Sequence, residues 1–389
     1  MALVAALAAL GALPALVPTW DAPPAPAGSR FALLAVGDAG HRPKASPWLT
    51  PQRAVGDALA ATHREAPVDL LVFLGDNFYP DGLEAEELEP RIAANLVAPY
   101  CAFLDLRAPL SPRVAPSCPL APEERRPVPV RAVLGNHDWR APESPDLQQD
   151  AVPRYLANWR LRRGGAWVED HAAGVSVVYF DSTHERTREG LRALRDALAA
   201  ARGPWRVVAA HHPIDLSPKG TAVREALAAA GVPVHLWLAG HEHNLQLGEP
   251  GAPGPALQVV AGAGSHPTGL KYDLPGRRVY RKSLGYARVD LVGDADARAG
   301  GRGAARGGKA DEGGEPDGGG NAEGGGHADG SGDELVVSLV AVRPFPAARW
   351  EPARLVARYA VARGGTVRVL EQAESDPPVR EPGEEEPFE

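Results

Sequence analysis

Five short segments, each closing an apolar and β-prone run, constrain this chain more than any other feature. They are Gly37-Asp38-Ala39-Gly40, Gly75-Asp76-Asn77-Phe78-Tyr79, Gly135-Asn136-His137-Asp138, His211-His212-Pro213 and Gly240-His241-Glu242-His243-Asn244. Open α/β sheets bind ligands at the carboxyl ends of their strands. Polar residues gathered at five such ends therefore predict one site assembled from distant parts of the chain. The residue types are those of a two-metal hydrolase centre.

Asp38 closes Leu33-Leu34-Ala35-Val36, and Asp76 closes Leu71-Val72-Phe73-Leu74. Either alone reads as a turn residue or helix cap. Together, two carboxylates at neighbouring strand ends can reach one cation, and one carboxylate can bridge two. Tyr79 offers a phenolate, a hard oxygen donor better suited to ferric iron than to zinc. Asn136 offers an amide oxygen. His137 can stand beside a substrate without being a ligand, with Asp138 expected to orient its ring.

His211 follows Val207-Val208-Ala209-Ala210, and His241 and His243 follow Leu236-Trp237-Leu238-Ala239. His-x-His in an extended segment puts both rings on one face, so one strand end can serve both metals of a close pair. A single strand histidine is more often a core residue; three, with matching carboxylates, reverse that preference. His41, His63, His171, His184, His235 and His266 read as surface or core residues. His41 and His212 carry extra weight because they adjoin the motifs.

With 389 residues and 44% hydrophobic composition, the chain can bury a large core. Lys+Arg 41 against Asp+Glu 49 gives a formal charge of -8, which excludes the basic footprint of a nucleic-acid binder. Strands are expected at 31–36, 69–74, 130–134, 175–180, 206–210, 234–239 and 257–260. Helices are expected at 51–65, capped by Thr50 with Pro51 first, and along Leu191, Leu194 and Leu198 up to Gly203-Pro204. Alternating strands and helices predict α/β layers.

Residues 1–29 read as a signal peptide or N-terminal anchor followed by a Pro/Ala linker, with Ala25-Pro26-Ala27 as a cleavage candidate. A basic n-region is lacking, and an ordinary Ala-rich helix or a mis-set start is the alternative. Residues 30–343 read as the catalytic domain, interrupted by a Gly-rich insertion at 299–332 too poor in apolar groups to order itself. The insertion separates 286–292 from 334–342, two runs expected to pair as strands. Residues 344–389 read as a C-terminal extension, acidic and solvated from Asp376. Cys101 and Cys118 are either two thiols or one disulfide closing a Pro-rich excursion at 107–129; a disulfide requires an oxidising compartment.

These motifs resemble the calcineurin-like metallophosphoesterases, and within them the purple acid phosphatases of the small tartrate-resistant type. The discriminating residues are Tyr79 in Asp76-Asn77-Phe78-Tyr79, Gly40 in the first motif, Gly240 to Gln246, and Ala261-Gly262-Ala263-Gly264. The resemblance implies an α/β fold in four layers, α/β/β/α, with two mixed sheets flanked by helices. It implies Asp38, Tyr79 and His243 on a ferric ion, and Asn136, His211 and His241 on a divalent iron, zinc or manganese, with Asp76 bridging. A metal-bound hydroxide would attack phosphorus, with metals about 3.5–4 Å apart. His137 would hold the phosphoryl group or protonate the leaving oxygen. His212 is a candidate substrate contact by its place beside His211, not by the resemblance.

The implied activity is hydrolysis of small phosphate monoesters; export, or membrane anchoring, is the expectation from the N-terminal run. The alternatives are a phosphodiesterase on a nucleotide-type substrate and a non-catalytic binding module. One departure stands out: Lys219 occupies the position where the family usually carries another histidine. A lysine binds phosphate as a point charge but is a poor acid near neutral pH.

Overall fold

The computed structural model describes residues 22–41, 50–107, 112–183, 187–215, 220–272, 274–293, 332–344 and 351–377. Its strands are β1 (Ser29–Val36), β2 (Leu70–Phe73), β3 (Val130–Ala132), β4 (Trp159–Leu161), β5 (Ala166–Asp170), β6 (Val175–Phe180), β7 (Trp205–Ala210) and β8 (Leu236–Ala239). They continue with β9 (Leu245–Gly248), β10 (Leu257–Ala261), β11 (Arg277–Arg281), β12 (Leu284–Val292), β13 (Glu334–Val342), β14 (Arg354–Ala362) and β15 (Val367–Gln372). One sheet has the order β15-β14-β13-β12-β1-β2-β3-β4 and the other β11-β9-β10-β8-β7-β6-β5. Both are mixed: β1 runs parallel to β2 but antiparallel to β12, and β10 parallel to β8 but antiparallel to β9.

The apolar residues sort into three layers. Leu33, Val72, Val177, Val207, Leu238 and Val289 fill the space between the sheets. Leu34, Leu71 and Phe73, on the opposite face of the same strands, meet Val55, Ala58 and Leu59 of helix Pro51–Glu65. Val208 and Trp237, from the far face of the second sheet, meet Leu194 and Leu198 of helix Arg188–Ala200. The alternation of strand side chains thus generates the expected four-layer α/β/β/α sandwich.

Helix Pro51–Glu65 begins as expected, with Thr50 Oγ1 accepting the Arg53 N–H at 3.1 Å. The 286–292 and 334–342 runs do pair antiparallel, from Leu284↔Val342 to Val292↔Glu334. The N-terminal reading through residue 21, the insertion through residue 331 and the acidic run 378–389 lie outside the described residues. Cys101 and Cys118 are joined as a disulfide, their Cα atoms 5.5 Å apart.

Two findings differ from expectation. Residues within the 344–389 extension form β14 and β15 and extend the first sheet. Asp376, expected to open a solvated tail, donates its N–H to Tyr280 O at 3.0 Å and pairs its carboxylate with Arg281 at 2.5 Å. Strands β4, β5, β9 and β11 and helix Gly220–Ala230 were also not foreseen.

What positions the site is a pinch between the sheets. β1, β2 and β3 end side by side in one sheet, β7 and β8 in the other. Gly37 donates its N–H to Ala261 O at 2.8 Å, tying the end of β1 to the end of β10. A Cβ on Gly37 would lie 2.9 Å from Gly240 Cα, so the backbones meet only because both residues are glycine.

Helix Pro51–Glu65 makes a similar approach, since a Cβ on Gly56 would lie 2.0 Å from the Pro99 carbonyl oxygen. Gly56→Ala would gain about 1 kcal/mol of helix propensity. Against backbone, overpacking costs about 1–3 kcal/mol and wins. The urea unfolding midpoint should therefore fall; a raised midpoint would show that the Pro99 segment yields freely.

Candidate metal centre

Asp38, Asp76 and His241 sit just beyond β1, β2 and β8 with φ of 56°, 53° and 65°. Left-handed backbone costs a non-glycine residue on the order of 1–3 kcal/mol, so surrounding bonds must enforce it. They are present. Asp38 donates its N–H to Gly75 O at 3.0 Å and accepts the His241 N–H on Oδ2 at 2.8 Å. Asp76 O accepts the Gly40 N–H at 3.1 Å, and its Oδ1 accepts the His137 N–H at 2.9 Å.

These turns gather the candidate ligands into two adjoining clusters. In the first, the Tyr79 hydroxyl lies 2.9 Å from Asp38 Oδ1, 2.6 Å from Asp76 Oδ2 and 2.8 Å from His243 Nε2. In the second, Asn136 Oδ1 lies 3.0 Å from His211 Nε2 and 3.1 Å from His241 Nδ1. Asp76 Oδ2 stands between them, 3.5 Å from His211 Nε2. Asp38, Asp76 and His243 form one ligand group within 4.8 Å, and His211, His212 and His241 another.

The donor chemistry fits two cations. His211 Nδ1 is 2.8 Å from Leu74 O and donates its N–H there, which leaves Nε2 of the neutral ring a bare lone pair. That lone pair faces another acceptor, the Asn136 amide oxygen. Acceptors converging without a proton between them are what a cation satisfies. The first cluster is richer in oxygen and suits a harder ion.

Charge is tightly managed. Burial works against ionising Asp38, but His243, with His211 and His241, holds its carboxyl down at about 2. Burial also opposes a charge on His243, yet Asp38 and Asp76 outweigh it and raise its pKa. Burial, with the charges of Asp38 and Asp76, drives the Tyr79 hydroxyl well above its usual range. Only a strong local cation would make it a phenolate.

The next layer corrects the expectation for Asp138. Its Oδ2 accepts N–H groups of Gly135 at 2.9 Å and Asn77 at 3.0 Å, and its Oδ1 accepts those of Phe78 at 3.1 Å and Gln148 at 2.9 Å. Asp138 stitches two ligand-bearing loops together rather than orienting His137. His137 is held by Pro80 O, 2.5 Å from its Nδ1, and by the Tyr79 ring at 4.2 Å. Burial and the Asp76 charge push Asp138 up to about 6 against the pull of these N–H donors.

Several neighbours were only faintly legible as site residues, or not at all. His41 stacks on Tyr79 at 4.1 Å, bonds to Ser265 Oγ at 2.7 Å and lies 5.5 Å from His266. Its position next to Gly40 is the one signal that singles it out. Arg91 donates to Tyr79 O at 2.7 Å and Asn95 to Gly40 O at 2.8 Å, and nothing in their sequence marks them. Lys219 lies outside the described residues. His63 and His235 are buried among backbone partners, as expected of core histidines.

The chain belongs to the calcineurin-like phosphoesterase family, whose profile matches residues 33–245. The fold is similar to that of GAP50, the anchor in the inner membrane complex of Plasmodium, at TM-score 0.52 and 13% identity over 89% of this chain and 90% of that one. It is similar to PhoD at TM-score 0.52 and 10% identity over 93% and 75%. A purple acid phosphatase from yellow lupin (Lupinus luteus) seeds aligns at TM-score 0.47 and 13% identity over 68% and 50%. No curated protein matches the chain. The family is dinuclear and metal-dependent, and the two donor clusters are the candidate groups for such a pair.

Asp138→Asn tests the stitching. An amide NH2 would face N–H donors, and each buried donor left unpaired costs about 1–3 kcal/mol. Urea unfolding should show a loss of that size, with fewer bound metals per chain. Wild-type stability would show that the loops hold without the carboxylate.

Proposed function

We propose that this chain hydrolyses small phosphate monoesters in the manner of a purple acid phosphatase. The observation that carries the reading is Asp76 Oδ2 between two donor sets, 2.6 Å from the Tyr79 hydroxyl and 3.5 Å from His211 Nε2. Asp38, Tyr79 and His243 would hold ferric iron, and Asn136, His211 and His241 a divalent iron, zinc or manganese, with Asp76 shared. When bound, such a pair supplies Lewis acidity and a water acidified toward neutral pH.

The chain's own groups do the rest. The buried carboxylates and imidazoles fix the positions of charge before substrate arrives, so no reorganisation is needed as charge develops. His137, its ring fixed by Pro80 and Tyr79, serves the transferring phosphoryl group or the leaving alcohol. The Cys101–Cys118 disulfide supports an oxidising compartment and hence export. Among the described residues, no helix is long and apolar enough to cross a membrane.

Metal content, visible absorbance and hydrolysis of p-nitrophenyl phosphate, measured on one preparation, test the proposal. Two metals per chain, a charge-transfer band and turnover are expected. Tyr79→Phe should lose the band. Asp76→Asn should lose more activity than the roughly 10–100-fold typical of an outer partner of a metal ligand. A colourless zinc or manganese protein that prefers diesters would move the reading to a phosphodiesterase. A metal-free, inert protein would favour a binding module.

A further inference from the structure

His211 and His212 are adjacent, yet their far contacts differ. His211 gives its Nδ1–H to the Leu74 carbonyl, 2.8 Å away, so its Nε2 is a ligand-type lone pair. His212 Nδ1 instead lies 2.9 Å from Ser182 Oγ, a group that can donate or accept. The two backbone bonds to that same oxygen decide which. Ser182 Oγ accepts the N–H of His211 at 3.2 Å and of His212 at 2.9 Å. A hydroxyl has two acceptor lone pairs and one proton. With both lone pairs taken, its proton goes to His212 Nδ1, and the proton of the neutral ring must sit on Nε2.

The ring so fixed is beside the metal cluster. Its centroid lies 4.6 Å from that of His241 and 4.9 Å from that of His211, and one of its nitrogens belongs to the His211, His212, His241 ligand group. By position alone His212 would be a third imidazole on the divalent ion. A nitrogen that carries a proton cannot ligate. Trp237 Nε1–H on the His212 carbonyl at 3.0 Å and burial of Ser182 at 1% exposed hold the arrangement rigid.

We infer that Ser182 is a positioning residue that fixes His212 as a hydrogen-bond donor to the substrate's phosphoryl oxygens, and that His212 is not a metal ligand. This deepens the phosphate-ester reading and rests on it. It also gives the site a neutral phosphate donor on the His211 side of the cluster.

The test compares His212→Gln, whose amide nitrogen reaches the Nε2 position, with His212→Asn, whose amide stops at Nδ1. Bound metal should stay at the wild-type level in both. Inhibition by inorganic phosphate should weaken about tenfold in His212→Asn, the worth of one such hydrogen bond, and far less in His212→Gln. Ser182→Ala should weaken it too, and Ser182→Thr, which keeps the hydroxyl, should restore it. Nitrogen-15 NMR of histidine-labelled full-length protein gives a readout independent of activity. The signal absent from His212→Asn should report a protonated Nε2 and a bare Nδ1. Metal lost in His212→Asn, a protonated Nδ1, or unchanged phosphate inhibition would each overturn the inference. Wild-type protein with the expected tautomer but no turnover would sink the phosphatase reading and leave the tautomer standing.

Discussion

Everything at this site depends on the place where two sheets touch through glycine. Asp38 leaves β1 and enters a slot in which a Cβ on Gly240 would lie 2.5 Å from its Oδ2 and one on Gly262 2.7 Å. The same oxygen accepts the His241 N–H at 2.8 Å. A single buried carboxylate thus joins a loop of one sheet to a loop of the other and fixes the spacing of the two donor clusters. The apolar layer between the sheets supplies the force that closes the sandwich. The glycines decide how near the strand ends come.

That closeness explains where strain is kept. Among the described residues, three that are not glycine have left-handed backbones, and all three are candidate ligands. Left to local preference each would relax. Each is overridden by bonds from outside its own turn, from Gly75 to Asp38, from Gly40 and His137 to Asp76, and from Asp38 to His241. Donors held this way are aimed before any ion or substrate arrives, which is what electrostatic preorganisation requires.

The candidate ligands were legible because each belongs to a motif that closes a short apolar run, a pattern local in sequence. The residues that hold them were not. Asp138 reaches Asn77 and Phe78 from 61 and 60 positions away, and Arg91 reaches Tyr79 O from 12. Such bonds exist only once the sheets are assembled, so no local pattern encodes them. The missed strands fail for a different reason. β15 is almost wholly exposed, and its alternation of apolar and polar residues breaks after Val367-Arg368-Val369, too short a pattern to read. β6 was foreseen, but Ser182, just beyond its end, was not read as functional. A serine there does not suggest a ligand, and Ser182 acts only through the nitrogen of a distant histidine.

The pair His211-His212 carries this furthest. Two identical side chains, adjacent in sequence and both near one cluster, are distinguished by a carbonyl on one and a saturated hydroxyl on the other. A carbonyl can only accept, so it keeps the proton of the neutral ring on the far nitrogen and leaves the inner one a bare lone pair, as a ligand requires. A hydroxyl whose lone pairs are full can only donate, so it leaves the proton on the inner nitrogen and makes a donor. Residue type and spacing locate a centre of this kind. The division of labour within it is decided one bond further out, by the partner on the far nitrogen, and that partner has to be read from the folded chain.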